Sequence, residues 1–144
     1  MNAISVVIIG FALLEATNVI ALYFFPESKY ANSVGVFKAY ERSKQDPEVH
    51  DFVRYLVNWV AGTKLIFLLL LVVILLTADT EGLFFTGLAM AIAISSFFWR
   101  LFPLVRRMDR EGSIDPPGYS AVLGVMIAAM VLIFLGAVLI TGIP

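Results

Sequence analysis

Four long stretches of mostly apolar residues dominate the chain, and the shorter segments between them hold most of the charged residues. The stretches cover residues 3–25, 53–76, 83–104 and 119–140. Each is long enough for an α-helix to cross the hydrocarbon core of a bilayer, which takes about 20 residues. The pattern therefore predicts an all-α membrane protein, a four-transmembrane-helix bundle with an up-down antiparallel arrangement.

The first connection, residues 26–52, is long for a helical bundle, in which connections usually have about 2 to 8 residues. Within it, Val34, Phe37 and Tyr40 recur at helical spacing, and charged residues lie between them. This spacing predicts a short cytoplasmic interfacial helix. The alternative is a solvated linker anchored by one hydrophobic contact. The third connection, residues 105–118, carries mixed charges.

Capping residues mark the starts of the last three long helices. A side chain that can accept hydrogen bonds from free backbone amides precedes a helix-starting residue in three places: Asp46-Pro47, Asp79-Thr80 and Asp115-Pro116. These are preferred N-cap and first-turn residues. We therefore expect the second helix to begin before its apolar stretch does, and we expect the short second connection to make spans two and three neighbours.

Composition and charge support one membrane domain over residues 1–144. Hydrophobic residues make up 60% of the chain and the mean hydropathy is +0.93, which is too apolar for a soluble domain. Nine of the ten basic residues lie in or beside the two long connections. Because basic residues accumulate on the cytoplasmic side, we predict a multi-pass protein of the cell (inner) membrane with both long loops cytoplasmic and both termini outside.

Two charged residues interrupt the apolar stretches near their centres. Glu15 lies in the first stretch and Lys64 in the second, and each is near the midpoint of its span. A charge at the bilayer centre costs roughly 2.5 to 3.5 kcal/mol on insertion scales, so each needs a partner. We predict that the two side chains pair directly at a shared depth.

The remaining polar residues of the spans lie mostly in their predicted cytoplasmic halves. They include Asn18, Asn58, Ser96 and Arg100. Together with Glu15 and Lys64 they form a candidate binding site, or a proton or substrate switch, in a vestibule that opens to the cytoplasm. The alternatives are a static ion pair that fixes helix register and an Arg100 side chain that extends to the membrane surface.

The sequence offers little for catalysis, metals or nucleic acids. The chain has no cysteine and lacks the common nucleotide-binding, hydrolase and metalloprotease motifs. Its one histidine, His50, lies near Glu48 and Asp51 at the start of the second helix, where helix-dipole complementarity explains the acids better than a metal site does. We expect no cofactor and no metal, and the balanced loop charges give no support for nucleic-acid binding.

Small residues recur every four positions in the third and fourth spans: Gly87, Ala91, Ser95 and Ser120, Gly124, Ala128. Such stripes let helix backbones approach closely, within one chain or between protomers. The leading hypothesis is therefore a non-enzymatic accessory, assembly or scaffold subunit, or a homo-oligomer, that acts through helix contacts. The alternatives are a small transporter or channel-like protein that uses Glu15 and Lys64, and an intramembrane enzyme acting on a lipid.

The expected partners follow from the same features. They are the lipid bilayer, a second copy or another membrane protein, and anionic lipid headgroups near the basic run Arg106, Arg107 and Arg110.

Overall fold

A computed structural model describes residues 2–142, and this part of the chain is helical apart from its connections. Six α-helices follow in chain order: α1 (Ala3–Phe24), α2 (Lys38–Ser43), α3 (Pro47–Thr77), α4 (Thr80–Ser95), α5 (Phe97–Arg110) and α6 (Tyr119–Thr141). A 3₁₀ turn, Val34–Val36, precedes α2. The prediction that both termini face outward also concerns residues 1, 143 and 144, which are not among the residues described.

Four helical segments are long and apolar enough to cross a membrane: α1, α3, α4 together with α5, and α6. This confirms the number of long apolar helices predicted from the sequence. As expected, α3 begins before its apolar stretch, at Pro47, and α5 continues past the end of its apolar stretch to Arg110. Polar turns extend both helices beyond their apolar stretches. The predicted helix in the first connection is present as α2.

The third long helix is interrupted at Ser96, between α4 and α5. The Ser96 amide is shared between the carbonyls of Ile92 and Ala93, both at 3.2 Å, and its hydroxyl donates to the Ala93 carbonyl at 2.6 Å. Such shared bonds tighten a helix locally toward 3₁₀ geometry. Pro103 lies further along, inside α5, where it cannot donate a backbone hydrogen bond.

The main apolar core lies where α1, α3, α4 and α6 meet. Ile4 and Phe134 are completely buried there, and Phe11 makes edge-to-face contacts with Phe67 and Phe134 at centroid distances of 6.2 and 5.6 Å. Gly87 allows this packing, because a Cβ at that position would lie 2.3 Å from Cδ1 of Ile4. Aromatic edge contacts and a close backbone approach therefore hold this end of the bundle together.

The helices pair unequally. The most extensive contacts join α4 to α6 and α1 to α3, whereas α3 and α4 make few contacts in spite of the short turn between them. Spans two and three therefore touch, as the short second connection predicted, but they pack together much less than α4 and α6 do. Gly87 of α4 explains part of the preference for α6, because its missing side chain leaves room for Val138.

The first and third connections join in a small layer at one end of the bundle. The Lys38 amide donates to the Ser113 carbonyl at 3.0 Å, and the Asp115 amide donates to the Val36 carbonyl at 2.9 Å. Val36 and Ile114 are buried beneath these bonds. We call residues 34–38 and 113–115 the connection layer.

Ion pairs tie the surroundings of this layer. Lys29 pairs with Asp115, and Lys44 pairs with Glu27 at 2.7 Å and with Glu41 at 3.0 Å. The hydrogen bond from Lys29 lowers the pKa of the Asp115 carboxyl, and the hydrogen bond from Lys44 lowers the pKa of Glu27. Both pairs are solvent-exposed, so each contributes little to stability.

Two of the three predicted caps are present. Asp46 accepts from the amides of Glu48 and Val49, at 3.1 and 3.3 Å, and Asp79 accepts from the amide of Gly82 at 2.8 Å. Both helices therefore start where the sequence predicted.

The prediction that Asp115 and Pro116 start α6 was wrong. The Asp115 side chain instead pairs with Lys29, and α6 begins only after Gly118. Its first amides are bound by Asp109 at the end of α5, which accepts from the amides of Gly118 and Ser120 at 3.0 and 2.9 Å.

Candidate functional site

The two mid-helix charges contact each other directly. Nζ of Lys64, on α3, lies 2.6 Å from Oε2 of Glu15, on α1. The side chains are 28% and 23% exposed, so the pair lies near the surface of the bundle rather than at its centre. Within residues 2–142, this is the one ion pair that joins α1 to α3.

Asn18 completes this arrangement. It lies one helical turn after Glu15, so the two side chains share a face of α1. Its Oδ1 accepts a second hydrogen bond from Nζ of Lys64 at 2.6 Å, and the Asn18 side chain is buried. Lys64 is therefore held by one carboxylate and one amide oxygen. An ammonium has three donors, and two of them are used here.

The first connection folds back to meet Asn18. Nδ2 of Asn18 donates to the carbonyl of Ala31 at 2.5 Å and to the carbonyl of Asn32 at 3.0 Å. Both Ala31 and Asn32 have left-handed backbones, with φ of 55° and 54°. Asn18 precedes the end of α1 at Phe24 by six residues, which is about 9 Å along a helix.

A fourth element reaches the same place. The hydroxyl of Tyr119, the first residue of α6, donates to Oδ1 of Asn32 at 2.6 Å. A continuous line of hydrogen bonds thus runs from Glu15 through Lys64, Asn18 and Asn32 to Tyr119. We call these five residues the polar line. It joins α1, α3, the first connection and α6.

Sequence analysis missed the Asn32 and Tyr119 ends of this line. No periodic pattern marks a connection that turns back along a helix. The one available signal was Asn32 itself, since asparagine is among the residues that most readily adopt a left-handed backbone.

The structure brings together three of the six predicted site residues: Glu15, Lys64 and Asn18. The other three lie elsewhere. Asn58 lines a cavity between α1, α2 and α3. The hydroxyl of Ser96 is bonded to its own helix. Arg100 is exposed and lies over the Trp99 ring, 5.4 Å from its centroid.

His50 packs against side chains of α2. Its Nδ1 lies 3.0 Å from Oγ of Ser43, and its ring lies 5.7 Å from the ring of Tyr40. These contacts pack the start of α3 against α2. Within residues 2–142, no group of three His, Cys, Asp or Glu side chains is placed to hold a metal ion.

Comparisons with protein-family models, with curated proteins and with solved structures give no match. The function is therefore argued from the residues and contacts described above.

Proposed function

We propose that the chain is an integral membrane protein of the cell membrane with four spans in an up-down arrangement and both long connections in the cytoplasm. Paired contacts support opposite directions for neighbouring helices. Along α1, Phe11 contacts Phe67 and Glu15 contacts Lys64, so numbers rise on one helix as they fall on the other. The basic residues of the two long connections indicate how the bundle is oriented across the membrane, because basic residues favour the cytoplasmic side.

Contacts between α6 and the third span also pair rising numbers on one helix with falling numbers on the other. Gly87 of α4 lies against Val138, and Phe102 of α5 lies against Gly124. These pairs support a direction of α6 that is opposite to that of α4 and α5.

The proposed role is that of an accessory, assembly or scaffold subunit that acts through lateral helix contacts, with another membrane protein or with a second copy. The observation that carries this proposal is that the polar line is bonded within the chain. Glu15, Lys64 and Asn18 use their polar atoms on one another and on the first connection. What the bundle offers to its surroundings is mainly apolar helix surface, such as Leu76 and Leu139, each 80% exposed.

Two glycines that have open space beside them support lateral contact. A Cβ added at Gly10 of α1 or at Gly136 of α6 would meet nothing within 4 Å, unlike one at Gly87 or Gly124. Small residues on a membrane-facing helix surface permit close approach by a neighbouring helix.

Extraction from native membranes in a mild detergent tests the role. We expect the chain to elute in an assembly larger than one copy, either with a second membrane protein or as an oligomer. Gly10→Leu should shift it toward the monomer, and Val6→Leu on the same exposed face is the matched control. A monodisperse wild-type monomer without a co-purifying protein would contradict the proposal.

The partial exposure of the ion pair favours a second candidate, a small transporter in which Glu15 and Lys64 form a proton or substrate switch. Charged residues within membrane spans commonly mark such pathways, and the third donor of Lys64 has no partner among the described residues. Reconstituted vesicles should then show a pH-driven flux that Glu15→Gln abolishes. A flux unchanged by Glu15→Gln would exclude this candidate.

A further inference from the structure

A cavity of about 140 Å³ opens between the end of α1, the short helix α2 and the first membrane turns of α3. Its apolar walls are Leu22, Pro26 and Val57. It lies at the end of the bundle that carries both long connections, because Pro26 follows α1 directly. The polar line passes elsewhere, through Asn18, Ala31 and Asn32.

Four polar side chains line the same cavity from three elements. Arg54 and Asn58 are one helical turn apart on α3, Tyr23 belongs to α1 and Tyr40 to α2. None of the four side chains has a hydrogen-bond partner within residues 2–142. A guanidinium, an amide and two hydroxyls therefore belong to residues that line one space, and their hydrogen-bonding capacity is unused.

Arg54 provides the cavity with its positive charge. Its guanidinium lies 3.9 Å from Asp51, which is too far for a hydrogen bond, and its side chain is 62% exposed. The nearby cation Lys44 is already bonded to Glu27 and Glu41. A bound group must accept hydrogen bonds from Arg54 and tolerate the neighbouring acids, which favours a singly charged anion over a dianion.

We propose that this cavity binds the phosphodiester of a membrane phospholipid. A phosphodiester carries one negative charge and several acceptor oxygens, and arginine binds phosphate oxygens in a two-pronged geometry. Asn58 and the hydroxyls of Tyr23 and Tyr40 supply the remaining donors. The proposal rests on the membrane insertion proposed above, but not on the subunit role.

The surroundings favour a lipid over free phosphate. Phe24 and Phe25, beside Pro26, are 72% and 63% exposed, and Trp59 next to Asn58 is 63% exposed. These side chains offer apolar surface for the glycerol and acyl chains of a lipid whose phosphate lies in the cavity. Tyrosine and tryptophan are also the residues that prefer the level of the headgroups.

Native mass spectrometry of the full chain in detergent tests the site, with dioleoylphosphatidylglycerol as the probe. We expect wild type to retain one lipid, and Arg54→Gln to lower the retained fraction about tenfold, as expected for loss of a charge-assisted hydrogen bond. Arg42→Gln removes an exposed arginine of α2 that does not line the cavity and should leave retention unchanged. Equal retention by wild type and Arg54→Gln would overturn the proposal.

Two further arms identify the ligand. Dioleoylglycerol, which lacks the phosphate, should not be retained, and inorganic phosphate at millimolar concentration should not displace the phospholipid. Retention of dioleoylglycerol would refute phosphate recognition, and displacement by inorganic phosphate would refute the lipid as the source. If Arg54→Gln does not fold, Asn58→Leu serves as the test variant with the same expected loss.

Resistance of the wild-type protein to carbonate extraction is measured in parallel. Extraction by carbonate would refute membrane insertion. If the protein resists extraction and Arg54→Gln retains as much phospholipid as wild type, only the lipid site is refuted.

Discussion

Lys64 lies at the centre of the polar line and joins α3 to two residues of α1. Its ammonium binds Glu15 on one side and Asn18 on the other, and Asn18 in turn holds two carbonyls of the first connection. A partly buried ion pair gives little net stability, because desolvation of both charges offsets their attraction. Removal of one partner is costly for the same reason, since the other charge is left without compensation.

A pair of substitutions separates these two effects. Lys64→Met should lower the free energy of unfolding by about 3 kcal/mol, because Glu15 and Asn18 both lose the hydrogen-bond donor that they share. Glu15→Gln together with Lys64→Met should cost less than Lys64→Met alone. Thermal unfolding in detergent, followed by circular dichroism, measures both variants. Equal melting temperatures for the single and double variants would show that the two charges are not coupled.

Gly87 lies against Ile4, a side chain that is fully buried and has little space into which it could move. A Cβ at Gly87 would lie 2.3 Å from Cδ1 and 2.8 Å from Cγ1 of Ile4, which is fully buried. Gly87→Ala should therefore destabilise the protein by about 1 to 3 kcal/mol through overpacking. The matched control is Gly10→Ala, where a Cβ meets nothing and the higher helix propensity of alanine favours the variant. Similar melting temperatures for the two variants would contradict this packing.

At the scale of the helices, the start of α6 is controlled by α5 rather than by its own preceding residues. Asp109 binds the amides of Gly118 and Ser120 and also the hydroxyl of Ser120, at 2.6 Å. A capping side chain supplied by another helix closes the third connection as well as stabilising the helix start. The Asp115 side chain is bonded to Lys29 instead.

The cap assignment predicts opposite results for two aspartates. Asp109→Ala should cost about 1 kcal/mol, as loss of an N-cap usually does, and should speed hydrogen exchange at the Gly118 and Ser120 amides. Asp115→Ala removes only an exposed ion pair with Lys29 and should leave exchange at those amides unchanged. Hydrogen exchange followed by mass spectrometry distinguishes them, and faster exchange in Asp115→Ala would restore the sequence-based assignment.

The sequence predicted features whose cause is local or periodic. The four long helices were predictable because each is marked by an apolar run of about 20 residues. The helix starts at Asp46 and Asp79 were predictable because a cap bonds amides only two or three residues away. The pairing of Glu15 with Lys64 was also predictable, since two lone charges at one depth need each other. The contact of Asn18 with Ala31 and Asn32, and the cap by Asp109, depend on how connections fold over the helices, which no periodicity encodes.

For the whole molecule, the connection layer places a constraint on topology that the charges alone do not. Backbone hydrogen bonds join Lys38 to Ser113 and Asp115 to Val36, so the first and third connections lie at the same end of the bundle. For the membrane insertion proposed above, both connections must then lie on one side of the bilayer, and the helices between them must cross it an even number of times. The basic residues of both connections favour the cytoplasmic side for them.

Cysteine labelling tests this arrangement, and the chain has no native cysteine to interfere. We expect a membrane-impermeant maleimide to label Glu81→Cys in intact cells, and to label Gln45→Cys and Glu111→Cys only after permeabilisation. All three positions are exposed, so access by the reagent reports the side of the membrane and not burial. If the labelling pattern of all three positions were reversed, the orientation inferred from the basic residues would be wrong, but the four-span arrangement would remain consistent with the result. Labelling of Gln45→Cys and Glu111→Cys from opposite sides would contradict the connection layer itself, and with it the up-down arrangement of the four spans.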